Sequence, residues 1–171
     1  MSANNPLPDA APAYAELHCI SNFSFLRGAS FPEELVNRAL ELGYRALAIT
    51  DECSVAGIVR AYAAIKSAGE VAAHFKLIVG TELSCRDGLQ LVLLARSRRG
   101  YGQMCTLISD ARRAAGKGEY QLTRRMLETF DGDDCLALWL PPAPTSGTPP
   151  VPPSDAAFIA AYAADLQWLA G

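Results

Sequence analysis

The sequence predicts an α/β fold whose sheet is mainly parallel and covered by helices. Three observations carry this. Short apolar segments alternate with longer amphipathic ones, the short segments run almost without charge, and the long ones bring their own start and stop residues. Strands that are apolar throughout are buried on both faces, as in a β/α barrel or a doubly wound sheet.

Each element has a local reason. Residues 1–13, MSANNPLPDAAPA, are rich in Pro, Ala and Asn and read as a flexible leader. A short strand follows at about 15–19. In SFPEELVNRALELG, Ser30 with Glu33 predicts a capping box, Pro32 suits the first turn, and Gly43 suits the C-cap. Leu35, Val36, Ala39, Leu40 and Leu42 give that helix one apolar face. RALAIT predicts a second strand, ending at Asp51-Glu52. A helix over 55–68 places Val55, Ile58, Val59, Tyr62 and Ile65 at helical spacing, and Gly69 stops it.

KLIVGTEL predicts a third strand, and LQLVLLA a fourth after the turn at Asp87-Gly88. YGQMCTLISDARRAA predicts a third helix with Tyr101, Met104, Cys105, Ile108 and Ala111 inward, and CLALWL a fifth strand. Residues 141–154, PPAPTSGTPPVPPS, read as a Pro-rich linker. Residues 155–171 predict a final amphipathic helix, with Phe158, Ile159, Tyr162, Leu166 and Leu169 on its apolar face. Five strands do not close a β/α barrel, and an unclosed edge is a liability for a free protein. The pattern therefore predicts an incomplete barrel, a piece of something larger.

Composition narrows the function classes. The chain has 171 residues, half of them hydrophobic, which favours one domain with a real core. A net charge of −3 argues against a dedicated nucleic-acid-binding module. The charge is nevertheless uneven. Between Arg96 and Arg125 lie Arg98, Arg99, Arg112, Arg113, Lys117 and Arg124 against only Asp110 and Glu119, and every charged residue after Arg125 is acidic. That basic stretch reads either as a contact with DNA phosphates or an acidic protein surface, or as a solvated helix face with its loops.

The five cysteines, Cys19, Cys53, Cys85, Cys105 and Cys135, include no Cys-x-x-Cys pair, which argues against a zinc knuckle or thioredoxin-type motif. With no basic start and no apolar signal core the chain reads as cytoplasmic with reduced thiols, and its apolar runs are too short to span a membrane. His74 reads as an exposed loop residue. No histidine stands near Cys53 to activate it as a nucleophile. No Gly-rich phosphate loop or Ser-His-Asp set is present.

Functional groups in barrels and open α/β sheets gather at the carboxyl ends of strands. That rule selects His18 after the first strand, Asp51 and Glu52 after the second, and Glu82 after the third. One imidazole and three carboxylates would suit Zn²⁺ or Mn²⁺. The plainer reading makes His18 a hydrogen-bonded core histidine and Asp51 and Glu52 caps of the next helix. A strand ending in His-x-His would present two imidazoles on one face, but in LHCI the second place holds Ile20.

The run from YAELHCISNFSFLRGASFPEELVNRALELGYRALAITDECSVAGIVRAYAAIKSAG through KLIVGTEL to RGYGQMCTLISDARRAAGKGEYQLT resembles a known domain. It is similar to the amino-terminal polymerase and histidinol phosphatase (PHP) domain of bacterial replicative-type DNA polymerases, above all of the error-prone branch. The resemblance covers about Tyr14 to Leu140, a partial PHP domain, and implies a distorted β/α barrel with metal ligands on its strand ends. His18 matches the first histidine of the family's His-x-His, Asp51 the aspartate of its TDH, and Glu82 a carboxylate ligand. Ile20 stands where the second histidine belongs, Arg27 where intact members have aspartate, and Glu52 where TDH has histidine. The later ligands would lie beyond Gly171.

The resemblance thus implies a structural scaffold with a degenerate metal site and no catalytic residue of its own. It would be part of an error-prone polymerase acting in damage-induced translesion synthesis. No cofactor would be held firmly, with residual Zn²⁺ or Mn²⁺ at most, while the parent polymerase uses Mg²⁺. Partners would be the remaining polymerase domains, DNA through the parent protein, the sliding clamp and accessory translesion proteins, and no membrane. Arg27 would take over the metal's electrostatic role by neutralising Asp51 or Glu82, or else point to solvent. The alternatives are a stand-alone metal-dependent phosphoesterase and a non-enzymatic remnant.

Overall fold

The computed structural model describes residues 13–141 and, beyond them, residues 163, 165, 167 and 168. The expected leader apart from Ala13, the linker apart from Pro141, and all five apolar positions of the final helix lie outside the described residues. The elements are β1 (Ala15–Glu16), α1 (Pro32–Glu41), β2 (Ala46–Ile49), α2 (Ile58–Ala68) with a 3-10 turn at Gly69–Ala72, β3 (Lys76–Ser84), β4 (Gln90–Ala95), α3 (Arg98–Arg113), α4 (Arg124–Glu128) and β5 (Cys135–Leu140). Among the described residues, five strands form one sheet in chain order.

The α/β class and the unclosed sheet stand as expected, with a change of direction at β3. β1, β2 and β3 pair parallel, whereas β3–β4 and β4–β5 pair antiparallel. The cause is local. β3 and β4 are joined by a tight hairpin in which the Cys85 amide donates to Leu89 O at 2.7 Å and Gly88 turns at φ +94°. A loop this short cannot carry a crossover helix.

The first helix begins one residue later than predicted. Its N-cap is Phe31, whose amide donates to Glu34 Oε2 at 2.8 Å, so the bond joins Phe31 and Glu34 rather than Ser30 and Glu33. Gly43, at φ +71°, closes a Schellman turn. Its amide donates to Leu40 O at 3.0 Å and that of Tyr44 to Ala39 O at 2.9 Å. Leu42, at the C-cap, is half exposed rather than on the apolar face.

α2 starts at Ile58 rather than Val55, and Val59 and Tyr62 face outward at 74% and 53% exposure. Its buried face is Ala61, flanked by Ile58, Ala64 and Ile65, and this small-residue face packs with Val36 and Ala39 of α1. In α3 the inward residues are Gly100, Met104, Leu107 and Ala111, and Tyr101 is exposed. β4 divides its side chains between two core clusters, Leu91 and Leu93 packing with Met104 and Leu107, Val92 and Leu94 with Ala48, as the two-residue period of a strand requires.

Candidate functional site

The carboxyl ends of β2 and β3 lie side by side, and a parallel bridge between Glu52 and Glu82 extends their pairing. The backbone there is closely held: Glu82 N donates to Thr50 O at 3.2 Å and Cys53 N to Glu82 O at 2.8 Å. Sequence-distant side chains therefore converge on one rim, as the strand-end rule anticipates.

Glu82 is the centre of it, only 1% exposed. Arg27 Nη1 donates to Glu82 Oε1 at 2.5 Å and Nη2 to Oε2 at 3.2 Å, a two-toothed clasp. His18 Nε2 stands 2.8 Å from the same Oε2, which accepts from it. Arg27 Nη1 also donates to Glu52 Oε2 at 3.0 Å, and Tyr120 Oη donates to Glu52 Oε1 at 2.9 Å. Tyr120 in turn accepts from the Ser84 amide at 3.0 Å. Burial pushes the Glu82 carboxyl up, but the Arg27 and His18 hydrogen bonds outweigh it and hold the group below the ordinary glutamate value. The hydrogen bonds to Glu82 and then to Glu52 raise Arg27 well above its usual range.

Asp51 lies apart from the clasp, fully buried. It accepts from Ser21 N at 2.7 Å, Ser21 Oγ at 2.8 Å and Ser24 Oγ at 2.8 Å. Ser24 Oγ also accepts from the Glu52 amide at 2.9 Å, tying the 21–28 loop to the end of β2. Gly57 is required beside this nest, because a Cβ there would meet Asp51 Oδ2 at 2.7 Å. Arg27 thus pairs with Glu82 and not with Asp51, and it does not point away into solvent. Asp51 and Glu52 do not cap α2, whose N-cap is Gly57.

Two non-glycine residues flank the clasp in left-handed backbone, Leu26 at φ +62° and Cys53 at φ +45°. Such conformations cost about 1–3 kcal/mol each and persist where surrounding contacts enforce them. Around Cys53 the enforcing contacts are visible: Arg112 Nε and Nη2 donate to Cys53 O at 3.3 and 3.1 Å. The Cys53 thiol is pushed up to about 11 by burial, so it is no ready nucleophile. His74 is exposed in a turn.

Among the described residues, no group of three or more His, Cys, Asp or Glu side chains is arranged to hold a metal ion, and no helix is long and apolar enough to cross a membrane.

The basic stretch divides. Arg112 packs over the Tyr120 ring at 5.4 Å and holds backbone carbonyls. Arg124 pairs with Asp87 and Asp165 and lies over the Trp168 ring. Arg99 pairs with Asp131 at 2.9 Å, and Arg113 with Asp110 of its own helix at 3.1 Å. Arg96, Arg98 and Arg125 are exposed.

Sequence reasoning missed Ser21, Ser24 and Tyr120, and named Arg112 only as a member of the basic stretch. Ser21 and Ser24 carry a faint signal, two small hydroxyls just after a strand end. Tyr120 reaches the site from a loop after α3 and has none.

The sequence profile of the PHP domain matches residues 16–144. Curated relatives called Error-prone DNA polymerase are similar to this chain. That of Methylococcus capsulatus is 59% identical over 132 residues, covering 77% of this chain and 12% of the relative. That of Dechloromonas aromatica is 58% identical over 134 residues, covering 76% and 13%. That of an Azoarcus species is 44% identical over 185 aligned positions, covering 94% and 17%. The chain therefore spans between 12% and 17% of the length of these relatives. Among solved structures, an amidohydrolase from Chromobacterium violaceum is similar at a TM-score of 0.47 and 26% identity, over 60% of this chain and 34% of that one, a likeness too loose to carry weight.

Proposed function

The chain belongs to the PHP domain family, and on that premise we propose that it is the PHP portion of an error-prone DNA polymerase, serving as a scaffold whose metal site has been replaced by an internal ion-pair cluster. The Arg27 clasp on Glu82 and Glu52 carries this reading. A divalent cation needs carboxylates with free lone pairs and no positive charge among them. Here both Glu82 oxygens face a guanidinium, the three Asp51 bonds come from hydroxyl and amide donors, and His18 is turned onto Glu82. At roughly 4 Å, two like charges repel by several kcal/mol at intermediate dielectric. The residues present do not suit Zn²⁺ or Mn²⁺, and the cluster offers no place for a metal-activated water.

What the rim does instead is mechanical. Residues 18, 27, 52, 82 and 120 come from four separate parts of the chain, and the charge network locks the 21–28 loop, β2, β3 and the loop after α3 into one body. A rigid body of this kind suits a support for neighbouring polymerase domains. In the whole protein those domains would use Mg²⁺ to add nucleotides across lesions after DNA damage. The sliding clamp and accessory translesion proteins would be its partners and the cytoplasm its compartment. The identity of the curated relatives supports the polymerase assignment.

An immunoblot after DNA damage, with antibody raised against residues 14–140, tests the assignment. A band several times larger than 18.3 kDa that rises with damage is expected. A single band at 18.3 kDa would overturn it.

A further inference from the structure

We propose that the cleft beside Glu52 receives a single basic side chain, arginine or lysine, presented by a partner polypeptide. The cleft holds about 450 Å³ and is lined by Phe23, Phe25, Glu52, Arg112, Glu119 and Tyr120 among others. Phe23, Phe25 and Leu26 are 40%, 84% and 90% exposed, three large apolar side chains close together on a loop whose backbone is strained at Leu26. A contiguous exposed run of that kind marks an interaction surface rather than an ordinary loop.

The charge of the cleft selects the partner. Glu52 accepts one hydrogen bond on each oxygen, from Tyr120 and from Arg27, and its side chain stays 30% exposed. A carboxylate has about four acceptor sites, so capacity remains for an incoming donor. Arg112 also lines the cleft, but its N–H groups are aimed at the carbonyls of Cys53, Glu52 and Glu119. Of the residues that line the cleft, Glu52 and Glu119 carry negative charge and Arg112 positive charge. A phosphate entering here meets net negative charge, whereas a cation meets carboxylate beside aromatic side chains. Arg112 over Tyr120 at 5.4 Å already shows such a contact at this site. The inference does not depend on the polymerase assignment, since any partner with an exposed basic residue would satisfy it.

The test is titration of the isotope-labelled 171-residue chain, followed by amide chemical shifts, with acetyl-Leu-Arg-amide as probe. Acetyl-Leu-citrulline-amide is the neutral control and thymidine monophosphate the anionic one. Selective shifts at Phe23, Phe25, Glu52 and Tyr120 with the arginine probe are expected. Phe25→Ala and Glu119→Gln, both at exposed positions, should each weaken binding about two- to five-fold. Equal response to arginine and citrulline, a stronger response to the nucleotide, no shift at the cleft, or full affinity in both variants would each overturn the proposal.

Discussion

Arg27 closes both terminal nitrogens on the buried carboxylate of Glu82, at 2.5 and 3.2 Å, across 55 positions of sequence. The arrangement is asymmetric in burial, for the Glu82 side chain is 2% exposed and that of Arg27 is 42%. One partner cannot leave without stranding the other. Arg27→Ala is expected to destabilise the fold by about 2 kcal/mol, less than the ~3–5 kcal/mol of a fully buried pair because the arginine is partly solvated. Adding Glu82→Gln should restore part of that loss, and urea unfolding of the two variants measures the coupling. Wild-type stability in Arg27→Ala would mean the clasp contributes nothing.

Acid should weaken the same contact. The Glu82 carboxyl sits below its ordinary value of 4.5 in the folded protein. Its contribution is then complete above about pH 4.5 and fades as pH falls through the lowered folded value. In Arg27→Ala only the His18 contact still opposes burial, so the carboxyl rises from its wild-type position and that variant gains less stability as pH rises. The gap between wild type and variant should widen from pH 3 to pH 7, read as the difference in unfolding midpoints. A gap independent of pH would contradict the assignment of the effect to Glu82.

Asp51 is expected to behave as a structural acceptor. Asp51→Asn places an amide where the Ser21 amide and two serine hydroxyls already donate, and should cost about 2 kcal/mol. Ser24→Ala removes one of those donors and also strands the Glu52 amide, with a loss of about 1–3 kcal/mol. Thermal unfolding checks both. Unchanged stability in Asp51→Asn would mean its hydrogen bonds are idle.

Gly57→Ala should also destabilise, because the added methyl meets Asp51 Oδ2 at 2.7 Å and Ser21 Oγ at 3.2 Å. A cost of about 1–3 kcal/mol is expected for such overpacking. The loss should shrink when Ser21→Ala opens space, a pairing that double-variant unfolding resolves.

Much of this was legible in the sequence. The apolar runs ALAI and LIV mark two strands, and the strand-end rule named His18, Glu52 and Glu82, which the structure brings together, and Asp51, which Ser21 and Ser24 hold apart from them. What escaped depends on contacts that no period encodes. The antiparallel turn at β3 follows from the shortness of a hairpin, and the outward Val59 and Tyr62 from α1 packing on the small Ala61 face instead. Tyr120 joins the site only because the α3–α4 connection folds back over β3. Arg27 could be placed near the rim by resemblance. Its choice of Glu82 over Asp51 was set by Ser21 and Ser24, which had already filled Asp51.

The most direct test of the account is thermal unfolding of the 171-residue chain with Zn²⁺, with Mn²⁺ and with chelator. A ligand that binds the native state raises the midpoint by mass action. The predicted result is one unfolding temperature in all three conditions, while a variant carrying Ile20→His, Arg27→Asp and Glu52→His gains stability with metal. A metal-dependent rise in the unmodified chain, abolished by His18→Ala, would contradict the claim that Arg27 has taken the metal's place.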